Sequence, residues 1–216
     1  VHESRHVAQL QFGLSHWFRP FKYVFGEMFC GLLAGLYPND WLLEGDAVVA
    51  ETGLSMSGRG RTADFLNYYR IAFDNGDFRN FDKWAHGSYR YYAPNHYAFG
   101  YMLLSGMRYL YDVPDISGQM FRHFARRPFD FAPNRHVVRQ LTGTGFYEAA
   151  DSVMMLYSRI WAEDMESRAP FLPYTKLGRM QGNYTEYTGN LAVGDNVYSL
   201  KESFRKSRRL TMTDND

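Results

Sequence analysis

The sequence predicts a mainly α-helical fold that ends in a short β segment, and two observations carry that expectation. Apolar side chains recur at three- and four-residue spacing through most of residues 1–165, the period of helices with one buried face. Beyond Pro170 and Pro173 the texture switches: GNYTEYTGN and VGDNVYSL alternate β-formers with turn residues, as a hairpin does. A boundary is expected near residue 180, with residues 1–180 forming a helical domain and residues 181–216 opening a β-domain.

Val1 to about Leu14 reads as a helix, with Val7, Leu10 and Leu14 at helical spacing and no proline. The next segment carries Pro20, Gly26, Gly31 and Gly35 and is less regular. Its apolar run MFCGLLAGLY, Met28 to Tyr37, is too short to span a bilayer as a helix and reads as buried core around Cys30. Pro38-Asn39-Asp40 gives a turn, Asn39 or Asp40 caps a second helix to about Glu51, and Gly53 ends it. SGRGR, residues 57–61, is a glycine-rich loop, after which Thr62 caps a helix carrying Phe65, Leu66, Tyr69 and Phe73. Residues 75–95 are loop-like, and Asn95 caps a helix from His96 to about Tyr111. Further helices are expected at about 117–126, 134–141 and 146–164, joined by short connections.

With 216 residues, 45% of them hydrophobic, the chain is large enough to bury a real core. Its 24 basic and 23 acidic residues leave a net charge of +1, so it lacks the broad positive field that nucleic acid selects, although the tail KESFRKSRR is locally basic. One cysteine cannot build a disulfide framework. The chain starts without methionine and its first motif begins at residue 2, which suggests a slice of something longer.

That motif is His2-Glu3-Ser4-Arg5-His6. Residues four apart share one face of a helix, so His2 and His6 can present two imidazoles to one metal ion. Glu3, beside the first histidine, can reach a metal-bound water instead, which makes it the candidate general base. A hydrolytic zinc site needs a third protein ligand and an open position. Glu44 lies on the second expected helix, and a carboxylate on an otherwise apolar face is costly unless it is paired or metal-bound, so Glu44 is the candidate third ligand.

HExxH followed by W-L-x-E-G-x-A resembles the gluzincin zinc peptidases, the clan that includes thermolysin and the aminopeptidase-N family, and within it the bacterial peptidase MA-like group. The resemblance implies a helical zincin catalytic domain over roughly residues 1–165, lacking its upstream sheet, with Zn²⁺ as cofactor and a peptide or protein as substrate. In aminopeptidase-like members a tyrosine of a Y-x-x-G motif donates to the oxyanion. Tyr97-Ala98-Phe99-Gly100 matches it, which makes Tyr97 the candidate donor. YTEYTGNLAVGDNVYSLKESFRKSRRL has the look of the first strands of a TolB-like β-propeller, which the helical domain could contact. Proteins of that combination imply a bacterial cell envelope location, periplasmic or outer-membrane associated.

Three departures qualify the match. The interval from His6 to Glu44 is longer than in the best-known members, which implies an insertion over residues 15–40. The acid that orients a ligand histidine in thermolysin-like enzymes is replaced here by Val48, leaving Glu51, Asp46 or a backbone carbonyl to serve. The exopeptidase motif would precede residue 1. His96 is a rival to Tyr97, and Arg59 and Arg61 could bind a substrate carboxylate, though GRGR more often makes a solvated turn. His16, His86, His123 and His136 have no ligand-like spacing and are expected to serve packing or surface roles. The leading function is zinc-dependent peptide-bond hydrolysis. The alternatives are a catalytically silent envelope binding or assembly module that keeps the fold, and a metal-free helical domain in which HESRH is a coincidence.

Overall fold

In a computed structural model, which describes residues 1–36, 39–88, 90–173 and 184–213, the chain is mainly helical with a small antiparallel sheet at its C-terminal end. Helices α1 (His2–Leu10), α2 (Arg19–Phe25), α3 (Met28–Leu36) and α4 (Asp40–Leu54) come first. Helices α5 (Asn67–Asp74), α6 (Phe81–His86), α7 (His96–Tyr111), α8 (Ile116–Arg126), α9 (Pro133–Thr142) and α10 (Phe146–Arg168) follow. The sheet runs β1 (Thr185–Val193), β2 (Asn196–Ser203), β3 (Lys206–Thr213), each strand antiparallel to the next, so the expected hairpin is the first half of a three-stranded meander. The expected boundary near residue 180 lies outside the described residues.

Helix α7 is the centre of the helical body, packed on α4 and α10, with Phe99, Met102, Leu103 and Leu104 buried. It starts where expected: the Asn95 side chain accepts from the Ala98 amide at 3.2 Å. It stops at Asp112, whose φ of 51° breaks the helical repeat. Tyr69, Phe73, Trp84 and Phe99 interlock edge to face and stacked, and fix α5 and α6 against it. The sheet meets this body through Tyr184, stacked 3.9 Å from Tyr92.

Four local expectations need correction. The segment at 75–95 contains α6, because Asn80 accepts from the Lys83 amide and so supplies a cap, while Phe81 and Trp84 give the turn an apolar side to bury. Gly53 does not end α4, which runs to Leu54 and stops with an extended Ser55. The next helix starts at Asn67 and not at Thr62, whose hydroxyl donates backwards to the Arg59 carbonyl instead of capping forwards. The run from Met28 is not core: α3 buries only Cys30 and Leu33, and Met28 is 86% exposed.

Candidate metal centre

Helix α1 lies on α4, held by side chains and not by an apolar seam. The Arg5 guanidinium donates to Asp46 at 2.7 Å, and the Gln9 amide nitrogen donates to the Leu43 carbonyl and to Asp46, both at 2.9 Å. Asp46 is fully buried, and its other oxygen accepts from Arg108 at 2.8 Å and Ser117 at 2.6 Å. Burial alone would raise this carboxyl, but hydrogen bonds from Arg5, Ser117 and Gln9 outweigh it and hold it below the ordinary carboxylate range. Asp46 is thus a buried anion with every lone pair spoken for, the condition under which such a charge is tolerated.

On the other side of α4, Gly45 faces Gly100 of α7 at backbone contact. A methyl group on Gly100 would lie 1.9 Å from the Trp41 carbonyl oxygen, and one on Gly45 would lie 2.3 Å from the Gly100 carbonyl carbon. Only glycine at both positions lets the helices cross this closely. The crossing point fixes Tyr97, one turn before Gly100, beside Glu44, one residue before Gly45. The glycines of E-G and Y-x-x-G therefore do a job that spacing alone did not reveal: they bring the two polar residues together.

His2 and His6 sit one turn apart on α1 with rings edge to face, centroids 4.8 Å apart. Their Nε2 atoms are 3.2 Å from one another, and each is 3.2 Å from the same Glu44 oxygen. Ligand bonds of about 2.0–2.1 Å in a tetrahedron separate neighbouring donors by about 3.3 Å, so the triangle has the edge length that a zinc ion needs. The three side chains are 18–23% exposed, so the triangle is partly accessible to solvent.

The outer contacts set the tautomers. Because both hydrogens of the Gln9 amide are directed at Leu43 and Asp46, its oxygen faces His6 Nδ1 at 2.7 Å, which must be the protonated nitrogen. His6 Nε2 is left with its lone pair directed into the triangle. For His2, Nδ1 lies 3.0 Å from a Glu51 oxygen and 2.8 Å from Arg59 Nη2. Donation to Glu51 leaves Nε2 free for a cation; acceptance from Arg59 leaves a proton on Nε2. The first is the metal-binding tautomer, and it gives the carboxylate–histidine pairing typical of zinc ligands. Arg59 braces Glu51 through its backbone amide at 3.1 Å and its Nε at 2.7 Å, and that hydrogen bond lowers the Glu51 pKa and raises that of Arg59.

Tyr97 lies over this group, its ring stacked 6.1 Å from His2 and under the Arg59 guanidinium at 4.8 Å. Burial, and then the Glu44 carboxylate, raise its pKa, so the phenol keeps its proton as a donor. Glu3 is exposed on α1 and close enough to add to that shift. His96 stacks on the outer side of Tyr97, with centroids 4.6 Å apart.

Of the five expected site residues, His2, His6, Glu44 and Tyr97 meet at one place, while Glu3 stands exposed beside His2 on α1. Glu51 reaches His2 directly, whereas Asp46 reaches His6 only through Gln9, a residue sequence reading missed although it stands three positions after the histidine, on the same helical face. Val48 is buried core. Arg59 and Arg61 belong to a braced turn: Gly58 packs on Thr52, and Arg61 donates to the Thr52 carbonyl at 2.8 Å. A second grouping was also missed, His123 and His136 with Asp130, whose ligand atoms lie within 4.8 Å of one another. A cavity of about 550 Å³ lined by Trp41, Phe81, Asp130 and Tyr147 shares no residue with the His2 cluster. No family model, no curated protein and no solved structure matches this chain, so a functional reading rests on the chemistry of its own side chains.

Proposed function

We propose that the chain is a zinc-dependent peptidase, with His2, His6 and Glu44 as ligands. The observation that carries this reading is the triangle itself: three lone-pair atoms 3.2 Å apart, with the outer contacts of both histidines able to leave no proton between them. With no proton between them, three such lone pairs repel, and a bound cation would relieve that repulsion; among the described residues the nearest cation of the chain is Arg59, whose Nη2 lies 3.4 Å from His2 Nε2. When bound, zinc supplies a Lewis acid for a carbonyl oxygen and lowers the pKa of water towards neutrality.

The chain's own residues supply the rest. Glu3 takes the proton of the attacking water as it adds to the peptide carbonyl, and returns it to the departing amine. Tyr97 donates a hydrogen bond to the carbonyl oxygen as it gains charge, an interaction stronger in the transition state than in the ground state. Glu51 and Gln9 hold the imidazoles in register, and Arg59 holds Glu51. The partly accessible cluster suits a polypeptide approaching across the surface.

The test is Glu3→Gln, assayed on quenched-fluorescence peptides with zinc measured in parallel. The expected result is one zinc per chain in both proteins and a turnover lower by about 10²–10⁴-fold in the variant. Full activity in Glu3→Gln would end this mechanism. Zinc at one per chain with no hydrolysis by the unmodified protein would favour the silent binding module instead.

A further inference from the structure

The pair α2 and α3 is turned inside out for a helical hairpin in water. Helix α2 buries none of its residues, and α3 buries two. Phe29 is the internal anchor: Phe21 stacks on it at 5.3 Å and Phe25 at 6.3 Å, so the two helices hold together and present a preformed outer face. On that face stand Tyr23, Val24, Met28, Leu32 and Leu36, all exposed, with Val24 at 73%. A cluster of exposed apolar side chains on two adjoining helices of a folded protein points to a binding surface.

Its surroundings say what binds. Trp17, just before α2, shares a shallow hollow with Arg126, Arg127 and Phe129, in which Asp130 is already engaged by His123 and His136, leaving the two arginines as its free charge. Arg19 and Lys22 add two more cations on α2 itself. Among the described residues none of these four cations is ion-paired, while most other arginines of the helical body are, and the one acid of the hairpin is Glu27. Four unpaired cations thus border the exposed apolar side chains of the hairpin.

An apolar centre with aromatic residues and a cationic border complements a bilayer surface containing anionic lipid, where the side chains enter the acyl boundary and the cations meet headgroups. Helix α3 has nine residues, and at 1.5 Å per residue it is far shorter than a hydrocarbon core of about 30 Å, so it lies in the interface and does not cross. Trp17 and Tyr23 are residue types that settle at headgroup depth. We propose that the α2–α3 hairpin docks this protein on membrane surfaces rich in anionic lipid. The inference is independent of the metal centre and stands or falls without it.

The test is co-sedimentation of the 216-residue chain with phosphatidylcholine vesicles, with and without roughly 30% phosphatidylglycerol, together with tryptophan emission. Expected are binding that favours the anionic vesicles, a blue shift that Trp17→Phe removes while binding persists, and weakening by salt. Replacing Val24, Met28 and Leu32 together by serine removes mostly exposed surface and lowers binding at least tenfold on the transfer values for such side chains. Arg126→Ala with Arg127→Ala leaves the hairpin intact and lowers binding to anionic vesicles about 25-fold, at about fivefold per charge. Circular dichroism establishes that each variant is folded. The proposal is overturned if the unmodified chain ignores anionic vesicles, or if the serine variant binds them equally well. It is also overturned if sedimentation velocity shows a vesicle-free dimer that the serine substitutions abolish, which would assign the face to a second copy of the chain.

Discussion

Two clusters in this molecule contain the same chemical groups, two imidazoles and a carboxylate, yet their spacing sets them apart. Around His2, His6 and Glu44 every edge of the triangle is 3.2 Å. Around Asp130, one oxygen lies 2.6 Å from His123 Nε2 and 2.6 Å from His136 Nδ1. The shorter distance is that of a charge-assisted hydrogen bond, with a proton on each nitrogen and the oxygen accepting both. The longer, equal distances match donors spread around an ion. Composition and proximity allow a metal in both places, and the difference in spacing is the reason the proposal rests on the first. The anchoring differs too: His2 and His6 stand on one helix and their outer nitrogens are engaged by Glu51 and Gln9, whereas His136 is 61% exposed at the side chain.

The largest expected effect tests that contrast directly. In Glu44→Ala the zinc content of purified protein falls from one per chain to background, while Asp130→Ala leaves it unchanged; equal loss in both variants would collapse the distinction. Next in size, Tyr97→Phe keeps the zinc and lowers kcat on peptide substrates by about 10²–10³-fold, the usual cost of removing one oxyanion donor. Smaller again, Glu51→Gln and Gln9→Ala each weaken zinc about 10–100-fold in competition with a chelator, as losses of outer partners do. The same change at Asp130 produces no shift in that titration.

The smallest effect belongs to the hydrogen-bonded cluster. Burial would raise the Asp130 carboxyl, but hydrogen bonds from His136, the Ala132 amide and His123 prevail and bring it down to about 2. A carboxyl whose pKa is lower in the folded state contributes stability that is present above its unfolded value and lost as pH falls through the folded one. Thermal unfolding of the unmodified protein should therefore lose stability between about pH 4 and pH 2, and Asp130→Asn should flatten that part of the profile.

Much of this was legible in the sequence because it depends on local spacing. The helical period, the Asn95 cap and the one-turn separation of His2 and His6 are properties of short stretches, and Glu44 could be singled out because a carboxylate on an apolar helix face needs a partner. What escaped depends on contacts between distant segments. Asp130 joins His123 and His136 only because α8 and α9 fold back on one another, and no spacing rule describes that return. Gln9 reads as an ordinary polar helix residue until Asp46 is seen to claim its amide hydrogens. The apolar run from Met28 was assigned to the core because hydrophobicity reports what a side chain prefers to leave, not which neighbour receives it.

The position of the α2–α3 hairpin between the two helices that carry the proposed ligands has a topological result. His2 and Glu44 are 42 residues apart, so an ion held by both closes the intervening chain into a loop, as a covalent cross-link would. Unlike a disulfide, such an ion leaves on unfolding, so its stabilising effect would grow with free zinc relative to its dissociation constant. If the proposed site holds zinc, its loading would tie the N-terminal segment to the body, and resistance of residues 11–36 to proteolysis should rise and fall with zinc supply.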